Sequence, residues 1–324
     1  MNVLKLILQH RRLSAGLAIA VVTAALLQVT NTNPAVSQTL ALTAYEAPSD
    51  PGVDPEAGIW KDISGVNVPL SAQAGSYVAG GSVKMVKAQA LHFDGKLFVR
   101  VSWADATDDS STTKVQDFAD AVALEFPQSA TAAVPSICMG QADSAVNIWQ
   151  WRADSNNGVR DPNVAYTNAL VDMYPSTEAL FYTARAANNP FAQLDRGAVQ
   201  SLYSKAFGEL QTLDFQEVQG LGKRTGDGWA VVFERKFDTG RAGHALFAPS
   251  TNMDMAFAVW DGSQDERNGK KAVSQFVNLS IAAAPAVTGG GDQTRTIIFA
   301  AGLGIGLVLI GGGLAIYGYR ENGD

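Results

Sequence analysis

The chain has 324 residues, of which 47% are hydrophobic and 17% are charged, a composition typical of a globular protein. Its formal net charge of −7 argues against a nucleic-acid partner, because such a partner requires a basic face. The single cysteine, Cys138, excludes an internal disulfide framework and any metal site built from four thiolates.

The first 37 residues have the pattern of an export signal. Arg11 and Arg12 belong to a basic start, which an apolar run from Leu13 to Val29 follows. Ala35-Val36-Ser37 then offers small residues at the positions where cleavage would occur. We therefore predict a signal peptide over residues 1–37, and an uncleaved N-terminal anchor is the alternative.

Residues 38–283 are predicted to form one mainly β domain, because their dominant hydrophobic period is two. In the clearest segment Leu97, Val99, Val101 and Trp103 share one face, and the preceding Asp94-Gly95 favours a hairpin turn. Further strands are predicted over 121–126, 229–237, 255–260 and 272–281. Strands separated by turns indicate a β-sandwich or a barrel.

An acidic patch follows the strand that ends at Trp103. Calcium binding is one interpretation of the patch, but its spacing matches no EF-hand loop. We predict a solvated rim instead. The patch consists of Asp105, Asp108, Asp109, Asp117 and Asp120.

The segment from Pro135 to Trp151 places one thioether, Met139, ahead of a predicted strand that carries Trp149 and Trp151. A thioether is a soft, weak ligand that suits iron in an apolar pocket and raises its reduction potential. Aromatic walls would suit a flat macrocycle beside it. The alternative is that Met139 fills a gap in the core, which is a common role for methionine.

Residues 156–215 fit the strand pattern poorly. They are predicted to form a long insertion, partly loop, with a short helix over 197–207. Long ordered loops tend to be functional, so the insertion is a candidate for covering a cofactor or docking a partner.

The C-terminus is predicted to anchor the protein in a membrane. Residues 296–319 contain no charge and are long enough to cross the hydrocarbon core as one helix. Arg295 and Arg320 bracket this span, residues 284–295 form a flexible linker, and residues 320–324 are a short tail. With an export signal at the other end, the body is expected on the periplasmic, outer face of the cytoplasmic membrane.

Several segments between Ala47 and Ile281 together resemble the haem-b-binding γ subunit of the dimethylsulfoxide-reductase-type molybdenum enzymes. Members of this family include the γ subunits of ethylbenzene dehydrogenase, dimethylsulfide dehydrogenase, selenate and chlorate reductases, and nitrite oxidoreductase. The matching segments are Val66–Leu70, Val101–Trp103, Cys138–Gly140, Asn147–Trp151, Gly228–Arg235 and Trp260–Ser274, with Trp60 before them.

The resemblance implies a β-sandwich that holds one non-covalent haem b between a methionine and a lysine. Met139 takes the methionine position, and Lys271 is the favoured lysine, with Lys223 and Lys270 as alternatives. A lysine binds iron only as the neutral amine, and burial in a dry pocket lowers its pKa toward that form. A solvated charged turn is the other interpretation of Lys270-Lys271.

Two further residues are candidates for contacting the haem. Asn147 is predicted to donate a hydrogen bond to a propionate, and a role in a turn is its alternative. Trp149 and Trp151 share one face of their strand, where they either pack near the haem or belong to the ordinary core.

By the same resemblance, the chain is expected to be a non-catalytic electron-transfer subunit. Its expected partners are a molybdopterin catalytic subunit, an iron–sulfur subunit, and a cytochrome c or membrane electron carrier. The sequence itself shows no nucleophile with its base and no phosphate-binding glycine loop. The alternative hypothesis is a membrane-tethered β-sandwich without haem, which binds carbohydrate or another small ligand on Trp149, Trp151 and Trp260.

Overall fold

The computed structural model describes residues 40–73, 80–112, 114–132, 135, 139–156 and 197–283. These residues form β-strands and three short 3₁₀ helices, and they contain no α-helix, so the prediction of a mainly β chain is confirmed. The predicted signal peptide, most of the predicted insertion, the linker and the predicted membrane helix lie outside the described residues. Within the described ranges, no helix has the length and apolarity to span a membrane.

The strands are numbered in chain order. They are β1 Ala41–Glu46, β2 Val66–Pro69, β3 Ser71–Ala72, β4 Met85–Phe93, β5 Lys96–Ala104, β6 Ala121–Pro127, β7 Val146–Arg152, β8 Val199–Ser204, β9 Leu210–Thr212, β10 Gln219–Thr225, β11 Gly228–Lys236, β12 Asn252–Trp260, β13 Ala272–Val273 and β14 Val277–Ile281. The 3₁₀ helices span Gly58–Lys61, Ala153–Ser155 and Gly262–Gln264.

The strands pair in the order β10-β11-β5-β4-β1-β14-β12-β6-β7-β8-β9. β12 belongs to two sheets, because residues 252–255 pair with β14 and residues 256–260 pair with β6. We call the part from β10 to β14 sheet I and the part from β6 to β9 sheet II, each completed by its portion of β12. β1 lies parallel to β4 and β14, and the pairs within sheet II are antiparallel.

Aromatic rings fill the interior between the two sheets. Trp151 of β7 contacts Trp103 of β5 and Trp229 of β11, with ring centroids 6.3 Å and 5.0 Å apart. Trp149 of β7 lies 6.5 Å from Phe233 of β11. Because β5 and β11 belong to sheet I and β7 belongs to sheet II, the two sheets pack face to face across these rings.

The hairpin predicted from Asp94-Gly95 joins β4 to β5. Both residues have positive φ, 46° for Asp94 and 69° for Gly95, as the favoured two-residue hairpin turn requires. Leu97, Val99 and Val101 of β5 are buried in the core, so the predicted alternation is also confirmed.

Two predicted elements differ in the structure. The helix predicted over 197–207 is wrong, because residues Val199–Ser204 form β8, which pairs along its length with β7. The single strand predicted over 272–281 is divided into β13 and β14. Ser274 lies at the break and bonds Phe257 of β12 twice, through its own N–H and through its hydroxyl oxygen, so the strand bulges there.

The predicted solvated rim is wrong for two of its five members. Asp105 and Asp120 are buried, whereas Asp108 is exposed. Asp120 lies inside because its carboxylate accepts hydrogen bonds from the backbone N–H groups of Asp109 and Gly262 and from the indole N–H of Trp229. Burial of a carboxylate is tolerated where such donors replace water.

Gly222 of β10 allows sheet I to approach Trp151 closely. A Cβ atom at this position would clash with the indole ring of Trp151, which is fully buried. We expect Gly222→Ala to lower the free energy of unfolding by about 1–3 kcal/mol, the usual cost of overpacking a core. Chemical denaturation checks this, with Gly58→Ala as the control because nothing lies within 4 Å of a Cβ there. Equal stability of the two variants would contradict the expectation.

Candidate functional site

A cavity of about 600 Å³ lies on the outer face of sheet II, which points away from sheet I. Its floor follows from the alternation along the strands. Val122 and Leu124 of β6 point into the core, whereas Ala121, Ala123 and Glu125 of the same strand line the cavity. The size falls in the range of small-molecule and cofactor sites.

Small side chains on β6 and β12 make part of this floor flat and apolar. Ala256 and Ala258 of β12 lie directly opposite Glu125 and Ala123 of β6, and both line the cavity. Bulkier residues at these positions would fill the space above the sheet. The floor therefore leaves room for a planar ligand to lie over β6 and β12.

Met139 reaches the cavity from the loop between β6 and β7. It packs against an apolar group on the floor that includes Ile148, Leu202 and Trp260. Its φ is 74°, a left-handed conformation that is uncommon for a residue with a side chain, and Gly140 follows with a φ of 82°. Such conformations cluster at functional sites, where surrounding contacts hold the backbone in place.

Lys271 reaches the same cavity from the loop between β12 and β13. It is only 7% exposed, and its Nζ atom lies 5.0 Å from the ring centroid of Trp260. Its backbone is held by the N–H of Gln73, which donates to the Lys271 carbonyl. A Cβ atom at Gly80 would lie 2.7 Å from the Lys271 backbone nitrogen, so a glycine is required beside it.

Glu125 is the buried acid on the floor. Burial raises the pKa of Glu125 to about 8, and the positive charge of Lys271 opposes this rise. One of its carboxylate oxygens, Oε1, is buried without a hydrogen-bond partner. The cavity thus holds an acid that is easily kept neutral at physiological pH, close to Lys271.

Further polar side chains line the cavity. Glu266 is buried and stabilises the loop between β12 and β13, because its carboxylate accepts hydrogen bonds from the backbone N–H groups of Ser82 and Asp261. The guanidinium of Arg267 lies 4.2 Å from the ring centroid of Phe118, and that of Arg152 forms an ion pair with Asp154 at 2.7 Å. Arg152 and Arg267 are the cationic groups, beside Lys271, that a carboxylate-bearing ligand could meet in this cavity.

The two alternative lysines lie elsewhere. Lys223 on β10 forms ion pairs with Asp54 at 2.8 Å and Glu56 at 3.3 Å, and its hydrogen bond to Asp54 raises the pKa of the amine. Lys270 donates from Nζ to the Gln264 carbonyl at 2.6 Å. Neither lines the cavity, so the structure brings Met139 together with Lys271 and with neither alternative.

Asn147 and Trp149 point the other way. Both lie on the face of β7 that meets sheet I, and both are fully buried. The Asn147 side-chain oxygen accepts from the Trp149 indole N–H, from the Arg235 guanidinium and from the Ala245 backbone. The structure therefore does not bring these two predicted haem contacts to the cavity, which β7 instead lines with Ile148, Gln150 and Arg152.

The residues of the floor were not among the predicted site residues. Ala121, Ala123 and Glu125 alternate with the apolar core positions of β6, so the period of two places them together on one face. The small residues that alternate with core positions in β6, next to one acidic residue, could have indicated this floor. Gln200 of β8, whose side-chain nitrogen is buried without a partner, could be found only from the strand pairing.

The donor set fits a metal held in a macrocycle. A thioether and an amine are offered by two different loops, and they share one cavity whose floor includes four alanines and the indole of Trp260. A soft sulfur and a desolvated nitrogen suit iron, and a planar apolar floor suits a porphyrin face.

Sequence comparison gives an independent result. A family model described as "Ethylbenzene dehydrogenase" matches residues 57–272, a range that includes Met139 and Lys271. A protein of Haloferax mediterranei described as a candidate heme subunit of a respiratory nitrate reductase is 29% identical over 71% of this chain and 69% of its own length. The chlorate reductase subunit gamma of Ideonella dechloratans is 29% identical over 68% of this chain and 75% of its own length.

Among solved structures, a family 9 carbohydrate binding module from Caldicellulosiruptor kristjanssonii overlaps 79% of this chain and its own full length. The identity is 11% and the TM-score is 0.36. A likeness this distant says nothing about what the chain binds.

Proposed function

This chain belongs to the ethylbenzene dehydrogenase family, and on that premise we propose that it is an electron-transfer subunit holding one non-covalent haem b. The family predicted from the sequence is thereby confirmed. We further propose that Met139 and Lys271 are the two axial ligands of the haem iron. The observation that supports this assignment is that both line one cavity, from two separate loops.

The cavity supplies what each ligand requires. Lys271 must be neutral to bind iron, and its side chain is only 7% exposed, with its Nζ atom 5.0 Å from the ring centroid of Trp260. Met139 is fixed by its backbone conformation and by its apolar neighbours. A thioether ligand in an apolar pocket favours the reduced iron and raises its potential.

Haem b would supply one-electron chemistry here, and the protein's own residues bind and orient it. The alanines of β6 and β12 leave space for the ring. Arg152 and Arg267 are candidates to hold the propionates, because a guanidinium suits carboxylate binding. No substrate chemistry is assigned to this subunit.

The proposed partners are a molybdopterin catalytic subunit and an iron–sulfur subunit on one side, and a cytochrome c or a membrane carrier on the other. The relatives support the assignment to such an assembly, since their names describe subunits of nitrate and chlorate reductases. A periplasmic location, an export signal at residues 1–37 and an anchor at residues 296–319 remain predictions of the sequence.

The carbohydrate-binding alternative has little support in the described part of the chain. Trp149 and Trp151 are both fully buried between the sheets, so they offer no platform for a sugar ring. Of the three tryptophans on which that hypothesis relied, Trp260 alone lines the cavity.

An absorption spectrum of the purified protein tests the proposed function. We expect a Soret band and, after reduction, a sharp α band, with one haem per chain that acid acetone extracts because it is not covalently held. A colourless protein purified from cells that make haem and the partner subunits would contradict the proposal.

Filling the floor tests where the haem lies. Ala258→Phe places a ring over the sheet, so we expect haem content to fall by about tenfold or more, because the ring occupies the space that the haem requires. The free energy of unfolding of the haem-free protein should change by less than about 1 kcal/mol, because the added ring points into open space. Ala258→Ser is the matched control. Full haem content in Ala258→Phe would place the haem elsewhere.

A further inference from the structure

Three aspartates from two separate loops meet at one end of the two sheets. Asp105 follows β5, Asp120 precedes β6 and Asp261 follows β12. One carboxylate oxygen from each lies within 4.8 Å of the others. Asp105 and Asp120 lie at the two ends of the loop between β5 and β6, whereas Asp261 is distant from both in sequence. The pairing of β12 with β6 brings its carboxylate to theirs.

The cluster is not a solvated acidic surface. Asp105 is 7% exposed, Asp120 is 0% exposed, and Asp261 is half-buried. The Oδ1 atom of Asp105 accepts from the backbone N–H of Thr107, but its Oδ2 atom is buried without any hydrogen-bond partner. Burying a carboxylate oxygen without a hydrogen-bond partner is unfavourable unless a water molecule or a bound ion satisfies it.

The guanidinium of Arg224 lies beside this cluster but forms no ion pair with its carboxylates. None of the three forms an ion pair with a lysine or arginine among the described residues. The nearby guanidinium of Arg224 donates to the backbone carbonyl of Asp105 at 2.8 Å, not to its carboxylate. Burial, and in smaller part the charge of Asp105, raises the pKa of Asp120 to about 7.

We propose that Asp105, Asp120 and Asp261 bind one divalent cation of the calcium class. Hard cations of this class take carboxylate and carbonyl oxygens, completed by water, and tolerate irregular geometry. The unpartnered Oδ2 of Asp105 supplies an oxygen that is already free of competing donors. The ion would neutralise the mutual repulsion of the three carboxylates.

The cation would join loops that also form walls of the cavity. Asp261 lies at the start of the loop that carries Lys271, and Glu266 of that loop accepts from the Asp261 backbone N–H. Asp120 directly follows Ala119, which lines the cavity. The ion would therefore hold together two loops that line the cavity.

Calcium binding to the purified full-length chain, stripped with a chelator, tests the proposal. Equilibrium dialysis should find one calcium ion per chain. Saturating calcium, about 100 times its Kd, should raise the Tm by about 5–10 °C. Asp261→Asn should lose at least about tenfold in affinity, because one charged ligand is removed from a half-buried position that the fold tolerates.

The matched control is Asp108→Asn, which changes an exposed carboxylate of the same loop as Asp105. This control should bind calcium as the parent protein does. Absence of stoichiometric binding to the parent protein would overturn the proposal without reference to any variant. Equal calcium affinity in Asp261→Asn and in the parent would overturn it as well.

Discussion

Replacing Met139 by alanine is expected to abolish the low-spin spectrum of the haem and to lower its reduction potential, by on the order of 100 mV. The reason is that the thioether sulfur, a soft ligand that raises the potential of the iron, is lost. Visible spectroscopy and a redox titration measure the two effects.

Met85→Ala is the matched control, because Met85 lies on β4 and is 51% exposed. Its spectrum and potential should equal those of the parent. If Met139→Ala kept the parent's spectrum and potential, Met139 would be a core filler and the assignment of the first ligand would be wrong.

Replacing Lys271 by alanine is expected to have an equally large effect. Removal of the amine should turn the haem high-spin and reduce haem content by about tenfold or more, since even groups behind the ligands can cost that much in metal affinity. Absorption spectra with a pyridine haemochrome assay measure both changes.

Two other lysine variants separate ligation from a general loss of charge. Lys270→Ala removes the neighbouring amine, which bonds the Gln264 carbonyl, and Lys223→Ala removes an amine paired with Asp54. Both should keep the parent's spectrum. A normal spectrum for Lys271→Ala, with a lost one for either of the others, would move the second ligand to that residue.

Local patterns explain which parts of the fold could be predicted. The hairpin at Asp94-Gly95 and the alternation along β5 depend on neighbouring residues, so the sequence predicts both. The bulge at Ser274 depends on its bonds to Phe257, which lies on another strand. The strand β8 likewise forms by pairing with β7, which no local propensity reveals.

The same distinction applies to the site. Alternation predicts that Trp149 and Trp151 share a face of β7. One face of this strand packs against sheet I, however, and the other face lines the cavity. Periodicity therefore could not decide which face meets the ligand. The burial of Asp120 could not be predicted either, because its donors Gly262 and Trp229 are distant in sequence.

The family resemblance contributed what periodicity could not. It indicated a ligand role for Met139, although methionine commonly fills gaps in a core. It also favoured Lys271 over the adjacent Lys270. The structure then places the favoured pair in one cavity, whereas the two alternative lysines lie outside it.

Diffraction data collected at the iron absorption edge from crystals of the purified protein would test the central assignment most directly. The anomalous difference map should show one iron per chain above the alanine floor of sheet II, within bonding distance of Met139 Sδ on one side and Lys271 Nζ on the other. An iron peak outside this cavity, or one that neither side chain reaches, would contradict the assignment.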